Sequence, residues 1–151
     1  MNASAPTVND PPLIRRLLEM RDVRRLDEET LDSFIAQAGE GVLFFTEDPV
    51  RVKEVNDLAV ILPEIRAATR AFRIGVLPPA LANARASRWA VRRWPALVFV
   101  REGAWLGNIE GLRDWADYVA LANERLSAEP QPMPARVIAV ASATACTGAG
   151  P

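Results

Sequence analysis

The chain has no histidine, one cysteine (Cys146), one lysine (Lys53) and one tyrosine (Tyr118) in 151 residues. Each scarcity removes a class of chemistry. Without imidazole there is no Ser-His or Cys-His nucleophile pair and no His-ligated metal within this chain. A lone cysteine permits neither an internal disulfide nor a Cys-x-x-Cys dithiol. Carboxylates, arginine and Tyr118 are all that remain for catalysis, so no enzymatic activity, cofactor or metal is expected. No apolar run approaches the roughly 20 residues a membrane-crossing helix needs. The first ten residues are polar and lack the apolar core of a secretory signal. The chain is therefore expected to have no integral membrane segment and to reside in the cytoplasm. Its eighteen basic residues are offset by nineteen acids, for a net charge of −1. That balance gives no footing to nucleic-acid or membrane-surface binding.

What is present is the composition of one globular α/β domain, half hydrophobic and a quarter charged. Its organising stretch is 92–111, Arg-Arg-Trp-Pro-Ala-Leu-Val-Phe-Val-Arg-Glu-Gly-Ala-Trp-Leu-Gly-Asn-Ile-Glu-Gly. Residues 96–100 and 104–109 read as two strands joined by a tight turn at Glu102-Gly103. Pro95, lacking an N–H, suits a strand start or edge. Beyond Gly111, the residues Leu112, Trp115, Val119, Ala122 and Leu126 recur at helical spacing and predict one buried stripe.

Taken in order, Asp10 followed by Pro11 and Pro12 predicts a capped short helix ending near Met20. Asp27 is the next expected cap, for an apolar face of Leu31, Phe34, Ile35 and Ala38 that stops at Gly39. Residues 41–46 are continuously apolar, as in a central strand covered on both faces. The polar 47–57 follows, with Asp57 expected to cap a helix over 58–70 that contains Pro63. Residues 72–77 predict a strand ended by Pro78-Pro79, and 80–93 a helix with Arg85, Arg88 and Arg92 on one exposed face. After Ser127 the composition turns to Pro, Ala, Ser and Thr, which predicts a flexible tail in which only 135–141 has strand character. The expected organisation is an N-terminal extension with a short helix (1–25), one domain (26–127) and a tail (128–151).

This order of elements, with Trp94-Pro95 opening the hairpin, Pro63 inside a helix and Gly111 before the last one, resembles the thioredoxin fold over about 26–126. The resemblance implies a three-layer sandwich around a mixed sheet of about four strands, with Trp94–Pro95 cis. Redox-active members carry Cys-x-x-Cys after the first core strand. This chain has instead Glu-Asp-Pro-Val-Arg-Val-Lys-Glu-Val-Asn-Asp at 47–57, without a dithiol. The segments Val-Leu-Phe-Phe-Thr-Glu-Asp-Pro-Val-Arg at 42–51 and Asp-Leu-Ala-Val-Ile-Leu-Pro-Glu-Ile at 57–65 resemble the hydrogenase expression/formation proteins of the HyaE/HupG/HoxO type. That resemblance implies a cysteine-poor chaperone for assembly of a membrane-bound nickel–iron uptake hydrogenase. It implies as partner the small-subunit precursor with its twin-arginine signal peptide, with other hydrogenase accessory proteins as further partners.

The peptide-binding residues expected on this basis are Glu47, Asp48, Pro49, Glu54, Trp94 and Pro95. Carboxylates suit an arginine pair through charge-assisted bidentate bonds, and the backbone at Pro95 suits an extended peptide. The bland alternatives are a solvated acidic loop with Asp57 as a mere cap, and a proline that only ends strand pairing. Arg85, Arg88, Arg92 and Arg93 read either as a solvated stripe or as a site for an acidic partner. Trp105 and Trp115 are expected to pack inside, whereas Trp89 and Trp94 lie near the docking edge, where an exposed Trp is an interface anchor. Two other functions are open from the residues: a redox enzyme using Cys146 with a partner thiol, and a structural adaptor.

Overall fold

A computed structural model of the chain describes residues 10–134. Cys146, the strand-like 135–141 and most of the expected tail lie outside the described residues. Helix α1 (Pro12–Leu18) precedes β1 (Val23–Arg25), α2 (Leu31–Ala36), β2 (Glu40–Phe45), α3 (Glu54–Ala68), β3 (Arg73–Leu77), α4 (Pro79–Arg85), a 3-10 turn (Ala86–Trp89), β4 (Ala96–Arg101), β5 (Ala104–Glu110) and α5 (Trp115–Leu126). The five strands form one sheet in the order β1-β3-β2-β4-β5, parallel between β1, β3 and β2 and antiparallel from β2 through β4 to β5.

β2 is central because both its faces are apolar. Val42 and Phe44 face a core shared with α1, α3 and α5, while Leu43 and Phe45 face one shared with α2, α4 and the 3-10 turn. The side-chain period of two along a strand makes one hexapeptide serve both layers. The turn between β4 and β5 places Glu102 and Gly103 at φ 50° and 90°, the left-handed pair that matches hairpin twist. Trp94–Pro95 is cis, as the thioredoxin resemblance implied.

Several expectations are corrected. The sheet has a fifth strand, β1, whose three residues are too few to show a period in the sequence. It pairs with β3, and Ile14, Leu17 and Leu18 of α1 are buried in the same core as Val42 and Phe44, so the division expected at residue 25 does not coincide with a break in packing. Asp10 does not cap α1; its carboxylate pairs with the Arg25 guanidinium of β1 instead. Helix α3 begins at Glu54 rather than after Asp57, because a turn closed on the Asp48 carbonyl by the Arg51 and Val52 N–H groups (2.9 Å each) feeds straight into it. Asp57 sits within its first turn. The helix expected through Arg93 stops at Arg85 and tightens, turning Trp89 into the core before Ala90 takes a left-handed φ of 59°.

The stripe of α5 is also rotated from the expected one. Leu112 and Trp115 are 44% and 48% exposed, while Tyr118, Ala122 and Leu126 are buried. Asp114 sets the phase: its carboxylate accepts the Asp117 N–H at 3.0 Å, which makes Trp115 the first helical residue. Tyr118 then enters the core, and its hydroxyl donates to the Gly111 carbonyl at 3.2 Å, so its polar end is satisfied there. Asp114→Ala is expected to lower stability by about 1 kcal/mol, the usual loss for a cap. Urea unfolding measures it, and an unchanged midpoint would mean that the cap contributes nothing.

Candidate functional site

The register brings the two halves of the expected site to one end of the sheet. Leu77, Phe45, Ala96 and Glu110 are successive cross-strand partners. The next row is held by four hydrogen bonds. Thr46 donates through N–H and hydroxyl to the Leu77 carbonyl at 3.2 and 2.8 Å, the Trp94 indole N–H donates to the Thr46 carbonyl at 3.1 Å, and the Gly111 N–H donates to the Pro95 carbonyl at 2.8 Å. The loop after β2 and the loop before β4 are therefore roughly one strand spacing, about 4.8 Å, apart.

Pro95 itself is buried and its carbonyl is taken, so it offers a partner little directly. Trp94 is half-buried, and its backbone makes no hydrogen bond among the described residues. The ledge is fixed from behind by Glu110, whose carboxylate accepts the Arg92 and Arg93 N–H groups at 2.9 and 3.1 Å. Asn108 bridges that carboxylate to the Trp89 carbonyl. Nothing in the sequence flagged Glu110 or Asn108, since only the β4–β5 pairing carries them to the proline loop.

The acidic loop is ordered by its own carboxylates. Glu47 accepts the Asp48 N–H at 2.9 Å and the Asn83 amide at 3.1 Å, and Arg51 stands 3.8 Å away. The backbone bond from Asp48, then the Asn83 bond, hold its carboxyl below the ordinary 4.5, with Arg51 adding to them against partial burial. Glu47 is thus ionised near neutrality. Asp48 is exposed and accepts the Val50 N–H at 3.0 Å with one oxygen. Glu54 is exposed at the first position of α3, and its carboxylate takes no bond among the described residues.

Glu47, Asp48 and Pro49 form one wall of a cleft of about 350 Å³ whose other walls are Asp10, Pro11, Ile14, Arg25, Thr46, Val76, Pro78 and Pro79. Trp94, Pro95 and Glu54 do not line it. The six expected residues are thus split between a cleft on the β3 side of Thr46 and a ledge on its β4 side. The signal for the cleft was Pro78-Pro79 directly after a strand parallel to β2, because ligands of open α/β sheets bind outside the carboxyl ends of their strands.

The arginine and tryptophan expectations change as well. Arg85 pairs with Glu28, and Arg88 pairs with Asp32 at 2.9 Å while lying 4.6 Å over the Trp89 ring. Arg92 is off the helix altogether. Trp89 is 1% exposed and belongs to the core, whereas Trp115, expected inside, is at the surface. Among the described residues no helix is long and apolar enough to cross a membrane.

The family described as hydrogenase-1 expression protein HyaE matches residues 13–118. The chain is 39% identical over 147 residues to the hydrogenase expression/formation protein HoxO of Cupriavidus necator, covering 95% of this chain and 91% of that one. It is 33% identical over 130 residues to HupG of Rhodobacter capsulatus, a protein of the same description, covering 85% and 94%. A thioredoxin of Halobacterium salinarum superposes with a TM-score of 0.57 at 19% identity over 72% of this chain and 94% of that one, a likeness of fold.

Proposed function

The chain belongs to the family of hydrogenase-1 expression protein HyaE, and from that membership we propose that it is a non-redox, thioredoxin-like chaperone. In this reading it acts in the cytoplasm and assists maturation and twin-arginine export of a nickel–iron uptake hydrogenase by holding the small-subunit precursor. One observation carries the proposal. Where redox-active thioredoxins have their dithiol, this chain presents Glu47, held ionised, and exposed Asp48, between an apolar cleft and the Trp94 ledge. A signal peptide with two adjacent guanidinium groups followed by an apolar stretch needs acids beside an apolar, backbone-offering surface.

Titration calorimetry with a synthetic peptide carrying an arginine pair and an apolar stretch tests this. Reversing Glu47 and Asp48 together to Lys is expected to weaken binding by about 1–3 kcal/mol. Reversing Arg85 and Arg88 is expected to leave affinity nearly unaltered, since each sits in an ion pair open to solvent and far smaller effects follow from such pairs. Losing affinity in the arginine variants while the acidic-loop variants keep it would reject the site. Because the Glu47 carboxyl titrates below 4.5 when folded, its charge and its bonds to Asp48 and Asn83 persist above that pH. They are lost as pH falls through the depressed folded value, so affinity should be level from neutrality down to about pH 5 and decline only below it. Cys146→Ser should bind as the parent does, and loss of function in it would favour thiol chemistry instead.

A further inference from the structure

We propose that the cleft beside β3, and not the ledge at Trp94 and Pro95, seats two neighbouring arginine side chains of the partner's extended segment, with their stems on its proline rings and their guanidinium groups on Glu47 and Asp48. This rests on the chaperone reading for the identity of the partner, but the chemistry is the cleft's own. Its volume of about 350 Å³ is at the small end of ligand pockets, which run from roughly 300 Å³ upward. It therefore suits a pair of side chains better than a folded element.

The walls are apolar rings and branched chains, Pro11, Ile14, Pro49, Val76, Pro78 and Pro79, against which the methylene stem of arginine can lie while its head reaches the exposed carboxylate of Asp48 and the half-buried one of Glu47. The charged lining residues are Asp10, Glu47 and Asp48 against Arg25. Arg25 is paired with Asp10, and the exposed Arg51 stands 3.8 Å from Glu47, so the lip carries Glu47, partly balanced by Arg51, and Asp48, which has no ion pair among the described residues. Asp48 uses one oxygen on the Val50 N–H and none of its other among the described residues. Glu47 receives the Asp48 N–H on one oxygen and Asn83 on the other, and each oxygen keeps a further lone pair. At the ledge the Glu110 carboxylate is already taken by the Arg92 and Arg93 N–H groups and Asn108, and the exposed side chains of Arg92 and Arg93 repel the same ligand.

Two probes test the assignment on the full chain. The dipeptide amide Arg-Arg-NH2, followed by amide and methyl NMR, is expected to shift Ile14, Thr46, Asp48 and Val50, to do so more than Lys-Lys-NH2, and to leave Trp94 and Gly111 in place. Pro49→Arg, which brings a guanidinium of the chain's own to the cleft, is expected to weaken the longer arginine-pair peptide at least tenfold with an unchanged thermal midpoint. Dipeptide shifts centred on Trp94, or full affinity in Pro49→Arg, would overturn the cleft while leaving the chaperone reading intact. If the dipeptide marks the cleft but the longer peptide does not bind, the cleft stands and the chaperone reading falls.

Discussion

Replacing Trp89 with alanine is expected to destabilise the protein by about 3–5 kcal/mol, the range for deleting a fully buried aromatic. The ring is 1% exposed and packs edge-on against Phe45 at 6.0 Å between centroids. Phe45 is itself fully buried on the central strand. The Arg88 guanidinium lies over the outer face of the indole, and the Trp89 carbonyl accepts the Asn108 amide, so the residue joins the 3-10 turn to β5. Removing the ring opens a void against Phe45, while the main-chain bond to Asn108 is kept. The matched change, Trp115→Ala, removes an equally large side chain that is 48% exposed, and it is expected to stay within about 0.5 kcal/mol. Denaturant unfolding of both variants gives the comparison directly. Equal losses would mean that the phase of α5, or the inward turn after Arg85, is not as described.

Gly75→Val is expected to cost about 3 kcal/mol or to prevent folding, the upper end for overpacking a close-packed core. Gly75 is buried in β3 between Arg24 of β1 and Leu43 of β2. A Cβ there would stand 2.6 Å from Leu26 Cδ1 and 3.0 Å from the Phe34 ring. Phe34 cannot easily retreat, because the Arg73 guanidinium lies 4.7 Å over its ring and donates to its carbonyl at 2.7 Å. Gly75→Ala meets the same contacts with a single methyl and should lose less. A thermal midpoint in Gly75→Val within a degree or two of the parent would refute the close approach of α2 to the sheet.

The sequence by itself determined what depends on neighbours along the chain. The apolar run of β2 required cover on both faces, Glu102-Gly103 had the residues for a left-handed turn, and the loop after β2 carries no cysteine and so no dithiol. Each of these follows from local propensity or from a functional group that is simply absent, so no tertiary contact was needed to read it. The resemblance to a thioredoxin-like hydrogenase accessory protein rested on the same local segments, and the family match over 13–118 agrees with it.

Only the tertiary structure decided which of several equivalent local choices won. Trp115 and Tyr118 lie one turn apart and either can head an apolar stripe. The phenol is inside in the phase that Asp114 sets, and there its hydroxyl finds the Gly111 carbonyl as acceptor. Asp10 had the sequence position of a cap, yet Arg25, brought beside it by the pairing of β1 with β3, takes its carboxylate. The expected binding residues divided for the same kind of reason: Thr46 is tied to Leu77 on one side and to Trp94 on the other, so the acids turn toward Pro78 and α1 while the proline loop turns toward Gly111. Sequence spacing reports which side chains share a face of one element, whereas register between strands sets which elements meet, and the free energy of satisfying a buried donor or charge selects among the meetings.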